Sequence, residues 1–265
     1  MRMYPRLRRG GLALVAAAAI VLPPVPVGAS GPEGKCPVPE SFTAFEPLLP
    51  RTAAALAGGS QVVVVVLGGA SSLGNAAGGV GLAWPARMGA AVADRFPSAR
   101  VKVVNLAVAR QTAQEAAAHL ARDVLPLRPT LVIWETGTME AVRGTAVDEF
   151  RDTLQAGIDE LRAAAVEVVL MNAQFSRDTD AIIRFEPYLR AMRQLADVNG
   201  VPLFHRHGIM RHWAESGALD LRDSGGEKRR PLATKLYDCI GRAMADFVAR
   251  DGSGPDAAAS PGQRR

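Results

Sequence analysis

Two adjacent serines, Ser71 and Ser72, lie in a glycine-rich stretch, Gly68-Gly69-Ala70-Ser71-Ser72-Leu73-Gly74-Asn75, directly after the apolar run 62–67. A serine hydroxyl becomes a nucleophile only when a base takes its proton and fixed donors receive the oxyanion that forms. The candidate bases are His205 and His207, which follow another apolar run, with Asp178 or Asp180 to orient the ring. A Ser71–His207 pair is therefore the catalytic arrangement to look for. Other readings of the loop fail on spacing. Ala70 stands where a dinucleotide fingerprint needs its second glycine. Gly69 and Gly74 have P-loop spacing, but Asn75-Ala76 replaces the Lys-Ser/Thr that would reach the outer phosphates. The flanking glycines of a nucleophile elbow are missing as well. No H-x-x-x-H or C-x-x-C spacing points to a metal, and no cofactor is expected. His212 reads as part of a helix and His119 as a surface position.

These residues need a scaffold. Apolar runs without polar alternation recur at 62–67, 101–106, 131–135, 167–172 and 201–204. Such runs suit parallel strands covered on both faces. Helical patterns fall between and around them, at 41–57, 83–96, 111–124, 146–164, 181–198 and 233–249. The alternation predicts a doubly wound α/β fold of three layers with right-handed crossovers. Ligands bind at the carboxyl ends of the strands in such a sheet. That edge would gather Gly69, Ser71, Ser72, Asn75, Arg110, Thr138, Met139, Gln174, Lys228 and Arg229. Trp84 and Trp134 are expected in the core.

The 265 residues divide into a leader (1–29), one domain (30–250) and a low-complexity tail (251–265) expected to be disordered. The leader has a basic start, an uncharged apolar stretch from Gly11 to Leu22, and small residues at Val27-Gly28-Ala29. That succession is a signal peptide cleaved before Ser30, too short to span a bilayer well. The net charge is +5, and four arginines of the leader account for all but +1 of it. The basic balance is thus no argument for a nucleic-acid partner. The Ala-, Arg- and Val-rich composition suits a GC-rich bacterium, so the expected address is the periplasm, without a membrane anchor after cleavage. In that oxidising compartment Cys36 and Cys239 are expected to pair.

The order of the motifs resembles the SGNH (GDSL-type) hydrolases, and more closely exported bacterial members whose first block reads roughly G-S-S-S-T-x-G. The resemblance spans Cys36 to Val248 and includes the blocks at 132–138 (VIWETGT), 168–174 (VVLMNAQ) and 210–213 (MRHW). It implies a five-stranded flavodoxin-like sheet and ester hydrolysis or acyl transfer on lipids, glycans or other small substrates. It also implies a serine nucleophile, a late D-x-x-H pair, and an oxyanion hole made by the serine N–H, a glycine N–H and an asparagine side chain. Carried over residue by residue, the nucleophile position is Ala70, or Ser71 if the block shifts by one. The glycine of the second block is Arg110. The asparagine of the third is Met139, which has no hydrogen to donate. Lys228-Arg229-Arg230-Pro231 stands where D-x-x-H belongs.

The expectation is an exported SGNH-fold protein without catalysis, binding an acyl, glycan or anionic ligand. Arg110, Lys228 and Arg229 would make its pocket basic unless Glu135, Glu140 and Glu227 neutralise them. The alternatives are an active esterase with Ser71 and His207 as a relocated pair, and an interaction module with a protein partner the sequence does not name.

Overall fold

A computed structural model describes residues 36–44, 46–221 and 229–250. The leader, Glu227, Lys228 and the tail 251–265 lie outside them. All described residues belong to one compact unit.

Five parallel strands form the sheet: β1 (Gln61–Leu67), β2 (Arg100–Asn105), β3 (Leu131–Glu135), β4 (Glu167–Met171) and β5 (Leu203–Phe204), in the order β2-β1-β3-β4-β5. This is the flavodoxin-like order, with β1 and β3 at the switch point. β1 is central, and Val64 pairs with Val103 on one side and Leu131 on the other. Because successive strand side chains alternate faces, the valine run feeds two cores. Val62, Val64 and Val66 pack under α1 (Pro50–Ala57), α3 (Trp84–Arg95), α9 (Arg206–Ser216) and α10 (Arg229–Val248). Val63, Val65 and Leu67 pack under α4 (Ala113–Ala117), α6 (Val147–Ala163) and α8 (Glu186–Asn199). The remaining helices are short: α2 (Ala70–Leu73), α5 (Thr138–Arg143) and α7 (Arg177–Ile182). Among the described residues, no helix is long and apolar enough to cross a membrane.

Three expected helices are interrupted, and prolines accompany the breaks in two of them, 41–57 and 181–198. In place of a helix over 41–57, a 3-10 turn (Glu40–Phe42) is followed by Pro47 and then by α1, which begins at Pro50. The expected helix over 111–124 is α4, then a π turn (Leu120–Val124) and a 3-10 turn holding Pro126. The expected helix over 181–198 is α7 and α8, parted at 183–185. Pro187 fits the first turn of α8, where an N–H is not needed, but its ring would clash with the carbonyl of Ile183 in a continuous helix.

The N-terminal segment is tied down by a disulfide between Cys36 and Cys239, whose Cα atoms are 5.6 Å apart. Trp213 Nε1 donates to Pro37 O at 2.8 Å. Glu46 accepts the Leu203 N–H at 2.6 Å and meets His205 Nε2 at 2.7 Å, so it occupies the open side of edge strand β5.

Candidate functional site

The loop after β1 turns into α2 with Gly69 at the helix entry and Gly74 in the left-handed conformation at its exit. Gly68 is obligatory here, because a Cβ on it would lie 2.5 Å from Ser72 Oγ and 2.8 Å from Glu135 Oε2. The turn leaves Ala70 exposed and directs Ser71 and Ser72 inward, both buried. Ser71 Oγ donates to Glu135 Oε1 at 2.7 Å, and Ser72 Oγ donates to Glu135 Oε2. Trp84 Nε1 donates to Ser72 Oγ at 3.0 Å, so this core tryptophan also braces the turn. Asn105 Nδ2 holds Ser72 O at 2.6 Å.

The counter-charge is Arg206, the first residue of α9, with only 2% of its side chain exposed. Its Nη1 lies 2.9 Å from Glu135 Oε1 and donates to Ser71 Oγ at 2.9 Å, while Nε donates to Asn172 O at 3.1 Å. Burial alone would raise the pKa of Glu135. The Arg206 charge and the hydroxyls of Ser72 and Ser71 outweigh it and hold the carboxyl below its ordinary range. Glu135 is therefore an anion at neutral pH and a poor proton acceptor.

The Ser71–His207 pair of the alternative, catalytic reading is not formed: Ser71 Oγ is engaged by Glu135 and Arg206, while His207 Nε2 meets Asp180 Oδ1 at 2.8 Å. Of the two candidate orienters, Asp180 takes that part toward His207, which makes no hydrogen bond to Ser71. His205 and His207 are both buried. The neighbours 206 and 207 diverge across Asn172, whose carbonyl takes Arg206 Nε and whose Oδ1 takes the His207 N–H at 2.9 Å.

Arg110 sits at φ 64°, the left-handed region that glycine favours, so the turn keeps a glycine conformation without the glycine. Its carbonyl accepts from Arg143 Nη2 at 2.9 Å. Thr138 and Met139 are half-buried at the start of α5, and the Thr138 hydroxyl has no hydrogen-bond partner among the described residues. Asn75, Gln174 and Arg229 are exposed. The acids expected to neutralise the basic group do other work. Glu135 serves Arg206, and Glu140 is buried, accepting the backbone N–H groups of Ala113 and Gly137. Among the described residues, no group of histidine, cysteine or acid side chains is arranged to hold a metal.

Arg206 is the site residue that the sequence did not point to. The signal was a lone arginine after β5, between two histidines, with a glutamate ending β3. In a parallel sheet both positions fall on one edge, and two charges there must meet or be solvated.

A sequence model of the Non-GDSL lipase-like family matches residues 35–253. No curated protein matches the sequence. Among solved structures, the fold is similar to a two-domain esterase, CEX, active on acetylated mannans, with TM-score 0.64 and 16% identity over 83% of this chain and 59% of that one. The chain thus spans about three fifths of that esterase. A catalytic mutant of Axe2, an acetylxylan esterase from Geobacillus stearothermophilus, gives TM-score 0.57 and 16% identity over 72% of this chain and 95% of that one. TesA gives TM-score 0.54 and 20% identity over 69% and 97%. At these identities the likeness is one of fold.

Proposed function

The chain belongs to the Non-GDSL lipase-like family, and from that premise we propose that it is an exported SGNH-fold protein that does not hydrolyse esters and instead binds an acyl, glycan or anionic ligand at the carboxyl edge of its sheet. The observation that carries this reading is the state of Ser71. Its hydroxyl is buried, donates to an anionic carboxylate and accepts from a guanidinium. A nucleophile needs a base that can take its proton and a free line of approach, and Ser71 has neither. At the register the family resemblance implies, the exposed position is Ala70, which has no hydroxyl at all.

The rest of the machinery is altered in the same sense. Met139 replaces the amide donor, and losing one oxyanion donor costs about 10²–10³ in rate. Loss of nucleophile or base costs on the order of 10⁴–10⁶, without simple additivity. Similarity to esterases acting on acetylated mannan and acetylxylan makes acetylated glycans the first ligands to try.

The test is turnover of short aryl esters and of acetylated manno- and xylo-oligosaccharides by the purified protein. The expected result is no hydrolysis above buffer, the same in Ser71→Ala, with glycan or acyl binding detectable by calorimetry. Turnover above about 1 s⁻¹, within the usual enzyme range, that disappears in Ser71→Ala would overturn the proposal.

A further inference from the structure

A cavity of about 930 Å³ opens between α7, α8, the start of α9 and Phe42 of the N-terminal segment. None of Ser71, Arg110, Thr138 and Met139 lines it. Its size suits a small ligand. Two features of its wall restrict which one.

The first is charge. Four arginines line the cavity, Arg184, Arg190, Arg193 and Arg211, against two acids, Asp180 and Glu186. Both acids are taken: Glu186 pairs with Arg190 at 3.3 Å, and Asp180 Oδ2 with Arg211 at 2.8 Å. The other oxygen of Asp180 is held by His207. Burial pushes the His207 imidazole down more than Asp180 pulls it up, so it adds no charge at neutral pH. Arg184 and Arg193 remain as two exposed cations without an ion pair among the described residues.

The second is apolar surface. Phe42, Ile183, Phe185 and Leu189 contribute to the wall, and Ile182 stands at it 84% exposed. A large aliphatic side chain left that open, beside two unpaired cations, matches a ligand with both characters.

We propose that this cavity is a binding site for a small anionic amphiphile, a single carboxylate or phosphate head on an apolar body, with Arg184 and Arg193 taking the head and Ile182, Ile183, Phe185 and Leu189 the body. The site is independent of the serine turn and does not rest on the function proposed there. A guanidinium pairs with either head in the same forked geometry, so the two share one chemistry.

Isothermal titration calorimetry of the purified protein with decanoate, decyl phosphate, octyl glucoside and inorganic phosphate tests this. Decanoate or decyl phosphate should bind one per chain, at least tenfold more tightly than octyl glucoside, which lacks the charge, and than phosphate, which lacks the chain. The double variant Arg184→Glu/Arg193→Glu should lose at least tenfold of that affinity, as should Ile182→Asp, with unchanged urea midpoints because all three side chains are exposed. Ser71→Ala should bind as the parent does. Equal affinity for octyl glucoside, full binding in the double variant, or no binding of either anionic amphiphile would overturn the proposal. Loss of binding in Ser71→Ala alone would place the ligand at the serine turn and overturn it too, while leaving the turnover assay of the preceding proposal unaffected.

Discussion

Glu135 shows how a turn that resembles a nucleophile loop becomes a structural joint. One buried carboxylate receives both serine hydroxyls and pairs with Arg206, so three segments distant in sequence are fastened at one point. Removing one partner leaves the other charge buried and unpaired. Glu135→Gln should therefore cost about 3–5 kcal/mol of stability in urea unfolding, whereas Ser71→Ala, which removes hydrogen bonds to charged partners but leaves the ion pair, should cost less, about 1.5–3 kcal/mol. Similar losses for the two variants would mean that the ion pair does not hold the turn. Arg110 offers the reverse case. At φ 64° a non-glycine residue is strained by about 1–2 kcal/mol. Glycine would relieve that strain but give back some of it through its freer unfolded chain. Arg110→Gly should thus be neutral to stabilising by about 1 kcal/mol, and should produce no ester turnover because Ala70 and Met139 remain.

At the scale of elements, β5 is a two-residue edge strand that depends on the N-terminal segment. Glu46 accepts the Leu203 N–H and meets His205, and these bonds outweigh the effect of burial to hold its carboxyl below the ordinary value of 4.5. A group whose folded pKa is depressed binds its proton more readily in the unfolded chain. Its contribution is therefore complete above about pH 4.5 and is lost as pH falls through the lowered folded value. Urea midpoints measured from pH 7 to pH 3 should show a steeper acid decline for the parent than for Glu46→Gln. Parallel profiles would show that this clamp does not couple to folding. The helix breaks belong to the same scale. Pro47, Pro50 and Pro187 were legible in the sequence, but the apolar periodicity running through them was the stronger pattern and concealed the interruptions.

For the molecule as a whole, the Cys36–Cys239 bridge joins the ends of the described domain across 203 residues. On the chain-entropy account, which is disputed, closing a loop of that size contributes about 5 kcal/mol. Reduction should lower the urea midpoint accordingly, and Cys36→Ser/Cys239→Ser should show the same loss with or without reductant. A midpoint unmoved by reductant would show that the bridge adds nothing. The bridge also fits the proposed export, for which the leader makes a separate claim: the mass of the exported protein should correspond to a chain beginning at Ser30.

The sequence by itself determined the α/β class, the five strands, the edge of the sheet where chemistry-bearing residues collect, and the pair of cysteines. Each of these follows from local pattern: apolar runs that can only be buried, glycines at turns, and two thiols without other partners. It also offered the departures from the family's blocks at Ala70 or Ser71, Arg110 and Met139 on which the proposed function draws, because these are matters of residue type. Which way a side chain points was decided only by the tertiary structure. Ser71 and His207 share an edge, yet a buried arginine between two histidines meets Glu135, and its neighbour, also buried, pairs with Asp180. The reason is that a charge removed from water must find its opposite. The opposite of Arg206 lies two strands and 71 residues away, at a distance no local pattern in the chain encodes.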